Sequence, residues 1–309
     1  MTTFRDGAKE RRASPDLIGA GFIVLTSLQF GAVVVLGRVA TRTSLPVPSF
    51  LAVRFAIAAV ILALVLALLR LPLRPAPSEG AGLVVLGMLG YAVEAAFFFA
   101  GLHHGTAAAV TLLFFTYPVL VSVIYVILGR GLPGWLIGGA LSASMAGTTL
   151  VVVASGGVDI DGTGILYALG SALTFAFYLI GADAVLQRTN SLAGAMWVSG
   201  AASLALAVFA VVTGGAQVPS GWSEWGPVLG TGAFTAGAFV CLFSGLRRLG
   251  AVRTSIISAT EPLTAATFAA IFLGEVISPG TVWGGALILA GAIAASVARA
   301  RPAPEPPMV

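Results

Sequence analysis

Charge is what this chain lacks. Only 9% of its 309 residues are Asp, Glu, Lys or Arg, against roughly a quarter in a soluble globular domain. Apolar residues make up 58%, and the mean hydropathy is +1.01. That balance excludes a soluble globule and identifies an integral membrane protein. The net charge of +4 is no nucleic-acid footprint, because the cations stand singly or in pairs at the ends of apolar runs. Cys241 is the single cysteine. It lies inside an apolar run, has no partner for an intrachain disulfide, and reads as a small buried hydrophobe. The two histidines, His103 and His104, are adjacent, and with one cysteine they cannot close a metal site. The chain has no Walker A loop, which excludes ATP hydrolysis by that route. An intramembrane enzyme would need a cluster of nucleophile, base or metal ligands in the spans. Isolated Glu94 and Glu261 do not supply one, so neither an enzyme nor a cofactor is expected.

What is present is a series of long apolar runs. A membrane-spanning helix needs about 20 mostly apolar residues. Ten such segments can be marked, at 16–38, 47–69, 81–102, 105–128, 132–154, 162–186, 192–213, 226–247, 251–273 and 279–299. Breakers divide them: Leu45-Pro46-Val47-Pro48, the proline-rich 70–80, Gly131–Gly134, the polar loop 156–164 and the stretch 214–226. The N-terminal cations followed by an apolar run imitate a signal peptide. The run Leu17–Leu36 is too long for that, so it reads as a retained first span. The Pro-rich 301–309 reads as a disordered tail.

The cations fix the orientation. One side receives Arg5, Lys9, Arg11, Arg12, Arg70, Arg74, Arg130, Arg188, Arg247, Arg248, Arg253, Arg299 and Arg301; the other receives only Arg38 and Arg42. The later loops of that second side carry Asp159, Asp161, Glu224 and Glu275 instead. By the positive-inside rule both termini are cytoplasmic. A count of nine or eleven would scatter the arginines over both faces.

The second half repeats the first. Ala96–Leu102 (AFFFAGL) parallels Val240–Leu246 (VCLFSGL), and Gly101-Leu102 and Gly245-Leu246 keep the register of Tyr117-Pro118 and Glu261-Pro262 without a gap. Between them, neutral His103-His104 is replaced by Arg247-Arg248, as expected of a loop that has changed sides. Five spans per copy force the two copies antiparallel, the architecture of many secondary transporters. The expected fold is therefore all-α and polytopic, with ten transmembrane helices as two inverted five-helix repeats. The domains run 1–155 (with a cytoplasmic N-terminal segment) and 156–300, before the tail 301–309. Small residues at fourfold spacing, Gly139, Ala143 and Gly147 in the fifth span and Ala286, Ala290 and Ala294 in the tenth, offer faces for close helix approach.

Charges inside a bilayer are costly, and so are functional or paired. Three stand out. Arg54 and Glu94 lie about 9 Å and about 12 Å inside the same end of the second and third spans, at 1.5 Å per residue. They form either a pair lining an outward-facing cavity or a structural ion pair. Glu261 precedes Pro262, which cannot donate to the Ser258 carbonyl and so loosens the ninth span. Glu261 is read either as a site for an ammonium group or proton, or as a neutral acid bonded to nearby hydroxyls. Tyr117-Pro118 is the matching break in the fourth span. Two interrupted helices at corresponding positions point to a central binding site, with Pro118 and Pro262 as hinges. Tyr91, Glu94 and Phe98 share one face of the third helix. Gln29, Tyr178 and Trp197 lie within the first, sixth and seventh spans. An aromatic-lined, sparsely polar chamber suits amino-acid side chains and organic cations, although Tyr178 and Trp197 also fit ordinary packing. Trp222, Trp225 and Trp283 read as interface-belt residues, and His103-His104 as an exposed turn or a proton relay.

These features together resemble the EamA family of the drug/metabolite transporter superfamily. The likeness rests on the five-plus-five plan, the Ser49–Arg54 stretch, the two Gly-Leu pairs, Glu261-Pro262…Leu273-Gly274-Glu275 and Trp283-Gly284-Gly285. The chain departs from the pattern at Tyr117-Pro118 and Gly129-Arg130, where the family has Glu-Pro and Gly-Glu. The resemblance implies a bacterial inner-membrane exporter of small metabolites, often amino acids. Its partners would be a small-molecule substrate and the lipid bilayer, not nucleic acid. A nucleotide-sugar or other metabolite carrier and a passive channel stay open as alternatives, as do monomer and homodimer.

Overall fold

The computed structural model describes residues 15–40, 43–130, 134–154, 159–274 and 276–298. The N-terminal cations, Arg42, Glu275, Arg299, Arg301 and the tail 301–309 lie outside the described residues.

Four spans begin where the sequence supplies a side-chain N-cap. Thr106, Asp161, Asn190 and Ser278 each accept a hydrogen bond from the backbone amide three residues on, at 3.2, 2.8, 2.7 and 3.2 Å. Each thereby satisfies one of the amides left free at a helix start. They open the fourth, sixth, seventh and tenth spans. The first span is Pro15–Ala40, the second Val47–Leu68, the fifth Trp135–Ala154, the sixth Gly162–Val185, the seventh Ser191–Val212 and the tenth Pro279–Val297. Among the described residues nine helices are long and apolar enough to cross a membrane. The longest, Trp222–Ser258, holds the eighth span and the first half of the ninth. At Gly250, φ 74° and ψ 168° break its helical course, a backbone that favours glycine. Glu261–Leu273 completes the ninth span, which gives ten passes.

Two boundaries differ from the sequence reading. The eighth span starts at Trp222 rather than at 226, so Glu224 and Trp225 sit in its first turn. Pro227 lies inside this helix, in its second turn, where its missing N–H leaves the Ser223 carbonyl without the usual i→i−4 donor. The third span is not one regular helix. It runs as an α-helix over Gly80–Val85, a π-helix over Leu86–Tyr91 and an α-helix over Ala92–Leu102.

Packing follows the inverted symmetry. The first span lies along the eighth and the third along the sixth, as equivalent pairs, while the second meets the seventh and the fifth meets the tenth across the repeat axis. The fifth and tenth approach closely at Gly147 and Gly284. A Cβ on either would fall 2.5 Å from the other's carbonyl oxygen. The small-residue faces expected there are corrected. Gly139, Ala286 and Ala290 are exposed, and the buried seam is Ala140, Ser144, Gly147 and Val151 against Gly284, Ile288, Gly291 and Ala295. Small residues surround both helices, so fourfold spacing could not choose the face; the i, i+4, i+7 stripe does. Exposed Leu64, Leu166, Phe209 and Ile293 point outward, where lipid is the solvent.

Contacts between loops identify one arginine-bearing end. Arg247 Nη1 donates to the Thr189 carbonyl at 2.9 Å, and Arg253 pairs with Asp16 at 3.2 Å. Tyr125 donates to Asp183 at 2.7 Å, with Arg130 over its ring. At the opposite end, His104 meets Asp161 at 3.0 Å, and Gly105 bridges to Ile160.

Candidate functional site

The π turn places the site. Its extra residue per turn re-aims the side chains that follow. Gly87 within it has no Cβ, and one there would clash with the Val198 carbonyl and Ala201 of the seventh span. The turn ends on Tyr91, whose ring centroid lies 5.1 Å from Phe55, 5.5 Å from Tyr178 and 4.9 Å from Phe239. These are edge-to-face contacts, the geometry that ring quadrupoles favour. Phe175 continues the set, 4.8 Å from Tyr117 and stacked on Tyr178 at 5.6 Å. Rings from the second, third, fourth, sixth and eighth spans thus form one wall made by both repeats.

Three charges sit in that wall. Arg54 is 8% exposed, and its Nε donates to Thr235 Oγ1 at 2.7 Å. Its guanidinium lies 5.0 Å from the Phe55 ring centroid. Glu94, 6% exposed, accepts from Ser171 Oγ at 3.2 Å. Arg54, Glu94 and Glu261 act on one another electrostatically. The expected Arg54–Glu94 pair is not a direct ion pair: among the described residues no carboxylate oxygen comes within 4.0 Å of Arg54. One buried cation therefore stands with two carboxylates that it does not touch. Such a set, in low dielectric, is compensated when a further positive charge joins it.

The two interrupted helices frame the cluster. The fourth span breaks between Ala107–Phe114 and Tyr117–Ile127, the ninth between Ser258 and Glu261. Thr116 Oγ1 donates to the Leu113 carbonyl at 2.6 Å, and Thr260 Oγ1 to the Ile257 carbonyl at 2.8 Å. Both breaks are built alike, 144 residues apart. Pro118 and Pro262 stand in the first turn after each, where a proline costs no internal bond. Tyr117, 1% exposed, opens the second half of the fourth span beside the break. The Tyr178 hydroxyl is buried and has no hydrogen-bond partner among the described residues. A buried group left so is costly unless something else occupies the site.

Of the sequence-expected residues, Arg54, Tyr91, Glu94, Tyr117, Tyr178 and Glu261 come together. Phe98 joins from the rim, 5.5 Å from Phe114, which is 5.3 Å from Tyr117. Gln29 stands apart. Its amide donates to the Leu25 carbonyl at 3.1 Å and to Cys241 Sγ at 3.5 Å, against Gly237 of the eighth span. Trp197 is also elsewhere: its indole donates to the Leu73 carbonyl at 2.9 Å, anchoring the loop between the second and third spans. Replacing Trp197 with Phe is expected to leave transport within about twofold while speeding proteolysis of residues 70–79. A larger loss of transport with unchanged proteolysis would return Trp197 to the site. The sequence reading missed Phe55, Phe175, Phe239, Ser171 and Thr235. Thr235 was findable, because it is the repeat partner of Tyr91, 144 residues on, and it bonds Arg54.

No group of three or more His, Cys, Asp or Glu residues suited to a metal occurs among the described residues. The comparisons with known proteins agree with the architecture. The model of the EamA-like transporter family matches twice, over residues 17–153 and 162–297. The uncharacterized transporter YwfM of Bacillus subtilis (strain 168) is 28% identical over 162 residues, 50% of this chain and 52% of that protein. The chain thus matches about half the length of this curated relative. A solved crystal structure shares the fold, with a TM-score of 0.74 at 20% identity over 92% of this chain and 96% of the other. With the family model matched once over each set of five spans, this multi-pass membrane protein belongs to the EamA-like transporter family.

Proposed function

We propose that this chain exports small metabolites: amino acids with aromatic or other neutral side chains, and organic cations beside them. The substrate binds in the chamber between the repeats, and alternating access comes from rocking one repeat against the other. The arginine-bearing end is cytoplasmic, with both termini on that side of a bacterial inner membrane. The carrying observation is the central cluster: Arg54 without a contacting carboxylate, and Glu94 and Glu261 facing it from other spans. A zwitterion satisfies this set. Its carboxylate takes the free guanidinium donors, its ammonium takes the acids, and a ring stacks against Tyr91, Tyr117 and Phe175.

Equilibrium binding tests the reading. Calorimetry on the purified protein compares phenylalanine, its methyl ester and its N-acetyl derivative. The zwitterion is expected to bind best, the ester (ammonium retained) about tenfold weaker, and the N-acetyl form weakest, since it brings a second anion to the acids. Equal binding of all three, or of none, contradicts the charge reading.

A further inference from the structure

At each end of the helices a buried acid at the start of a third span meets a loop of the other repeat. At the arginine-bearing end, Glu79 precedes the third span and is 6% exposed. Its Oε1 accepts from the Arg188 amide at 2.9 Å and its Oε2 from the Thr189 amide at 2.8 Å, with Arg188 Nε at 3.8 Å. Around it, the Ala76 amide donates to Thr189 Oγ1 at 2.9 Å, and Arg188 Nη2 to the Pro77 carbonyl and Ser78 Oγ, both at 3.1 Å. Burial alone would raise the proton affinity of Glu79. The bonds from Thr189 and Arg188 more than offset it and hold the carboxyl below its ordinary range, so it is ionised at neutral pH.

At the other end, Glu224 opens the eighth span, also 6% exposed. Its Oε1 accepts from Ser44 Oγ at 3.0 Å, and its Oε2 from the Ser220 amide at 2.6 Å. The Gln217 amide donates to Ser49 Oγ at 2.9 Å, and Ser49 Oγ to the Gly215 carbonyl at 2.6 Å. Arg188 and Ser44 occupy the same place in their repeats, two residues before the N-caps Asn190 and Pro46. In each case an acid at the start of one repeat's third span grips the first interhelical loop of the other repeat.

We propose that Glu79 and Glu224 are paired clasps, one at each end, that close the two ends in turn during the transport cycle. This rests on the alternating-access reading above. In an inverted repeat, the opposite-facing state arises when the two copies exchange conformations. The clasps differ in the way such an exchange requires. Glu79 gives both oxygens to the other repeat; Glu224 gives one to the other repeat and one to its own loop. Charge-assisted bonds of this kind are roughly twice as strong as neutral ones, so the arginine-bearing end is held here. Turning the carrier round releases one oxygen of Glu79 and engages a second of Glu224. Ser78, at φ 76°, keeps strained backbone beside Glu79 that release would relax.

Two buried reporters test this, Thr254 and Val110, which are repeat partners in the first halves of the ninth and fourth spans. Each is changed to cysteine in a Cys241→Ser background and labelled in sided vesicles with a membrane-impermeant maleimide. Glu79→Gln places an amide donor against backbone donors. It is expected to raise labelling of Thr254→Cys from the arginine-bearing side about tenfold and to lower labelling of Val110→Cys from the other side. Glu224→Gln is expected to do the reverse, and Thr189→Ala to act like Glu79→Gln more weakly. If Glu79→Gln misfolds, Thr189→Ala carries the same expectation. Both reporters rising together, or neither moving in folded protein, overturns the proposal. Labelling needs no substrate. Reciprocal shifts in a chain that binds no amino acid would sink the transport reading alone, and binding without reciprocal shifts would sink the clasps alone.

Discussion

Arg54→Met is expected to reduce transport by at least about a hundredfold while leaving a folded protein. Methionine keeps the length of the side chain and most of its apolar contact with Phe55. What disappears is the cation that Thr235 holds in place beside Phe55. Glu94 and Glu261 then face each other with no positive charge between them. Removing one partner of a buried charged set costs about 3–5 kcal/mol when the remaining charge cannot be relieved. Here protonation relieves part of it, so the fold survives. The binding of a substrate carboxylate does not, because no other cation reaches the cluster among the described residues. Arg54→Lys keeps the charge but loses the planar guanidinium whose Nε bonds Thr235. It should recover only part of the flux. Flux per folded molecule from proteoliposomes is the readout, and wild-type flux in Arg54→Met would remove Arg54 from the site.

Gly147→Val is expected to cost the fold itself. The added Cβ meets the Gly284 carbonyl at 2.5 Å and Ile288 at 2.8 Å, and the neighbour is backbone that cannot rotate away. Overpacking a tight core site costs about 1–3 kcal/mol and more where backbone must move. The fifth and tenth spans join the repeats through this seam, so the loss falls on the assembly of the two halves. Gly139→Val, one helix face away, has nothing within 4 Å of the added Cβ and is exposed. It should shift the unfolding temperature in detergent by little. Equal destabilisation by the two substitutions would contradict the assigned seam.

The same pair shows what the sequence makes legible. Spacing announces that small residues pack. It does not say which stripe, because glycine and alanine occur on every side of both helices. The ten passes and the inverted plan could be read, since apolar length and the side taken by each arginine are one-dimensional properties. The register linking Tyr117-Pro118 to Glu261-Pro262 gave both helix breaks. Depth arithmetic brought Arg54 and Glu94 to one level but could not separate a direct ion pair from the wider triad with Glu261. The π turn ending at Tyr91 leaves no periodic signature six residues long, so Phe55, Phe175 and Phe239 went unassigned. Gln29 and Trp197 were polar-tipped residues in apolar runs, a signal equally satisfied by Cys241 and by the Leu73 carbonyl. The clasps at Glu79 and Glu224 join loops about 110 and 180 residues apart in sequence, and no local pattern reports a partner so distant.

The proposed function depends on a single chamber that opens to one side at a time. Counterflow measures that property. Proteoliposomes carrying the intact chain are loaded with unlabelled phenylalanine and diluted into a trace of labelled phenylalanine. A carrier should show a transient overshoot of internal label, abolished by Arg54→Met. A monotonic rise at a rate that ignores the internal load would contradict the account.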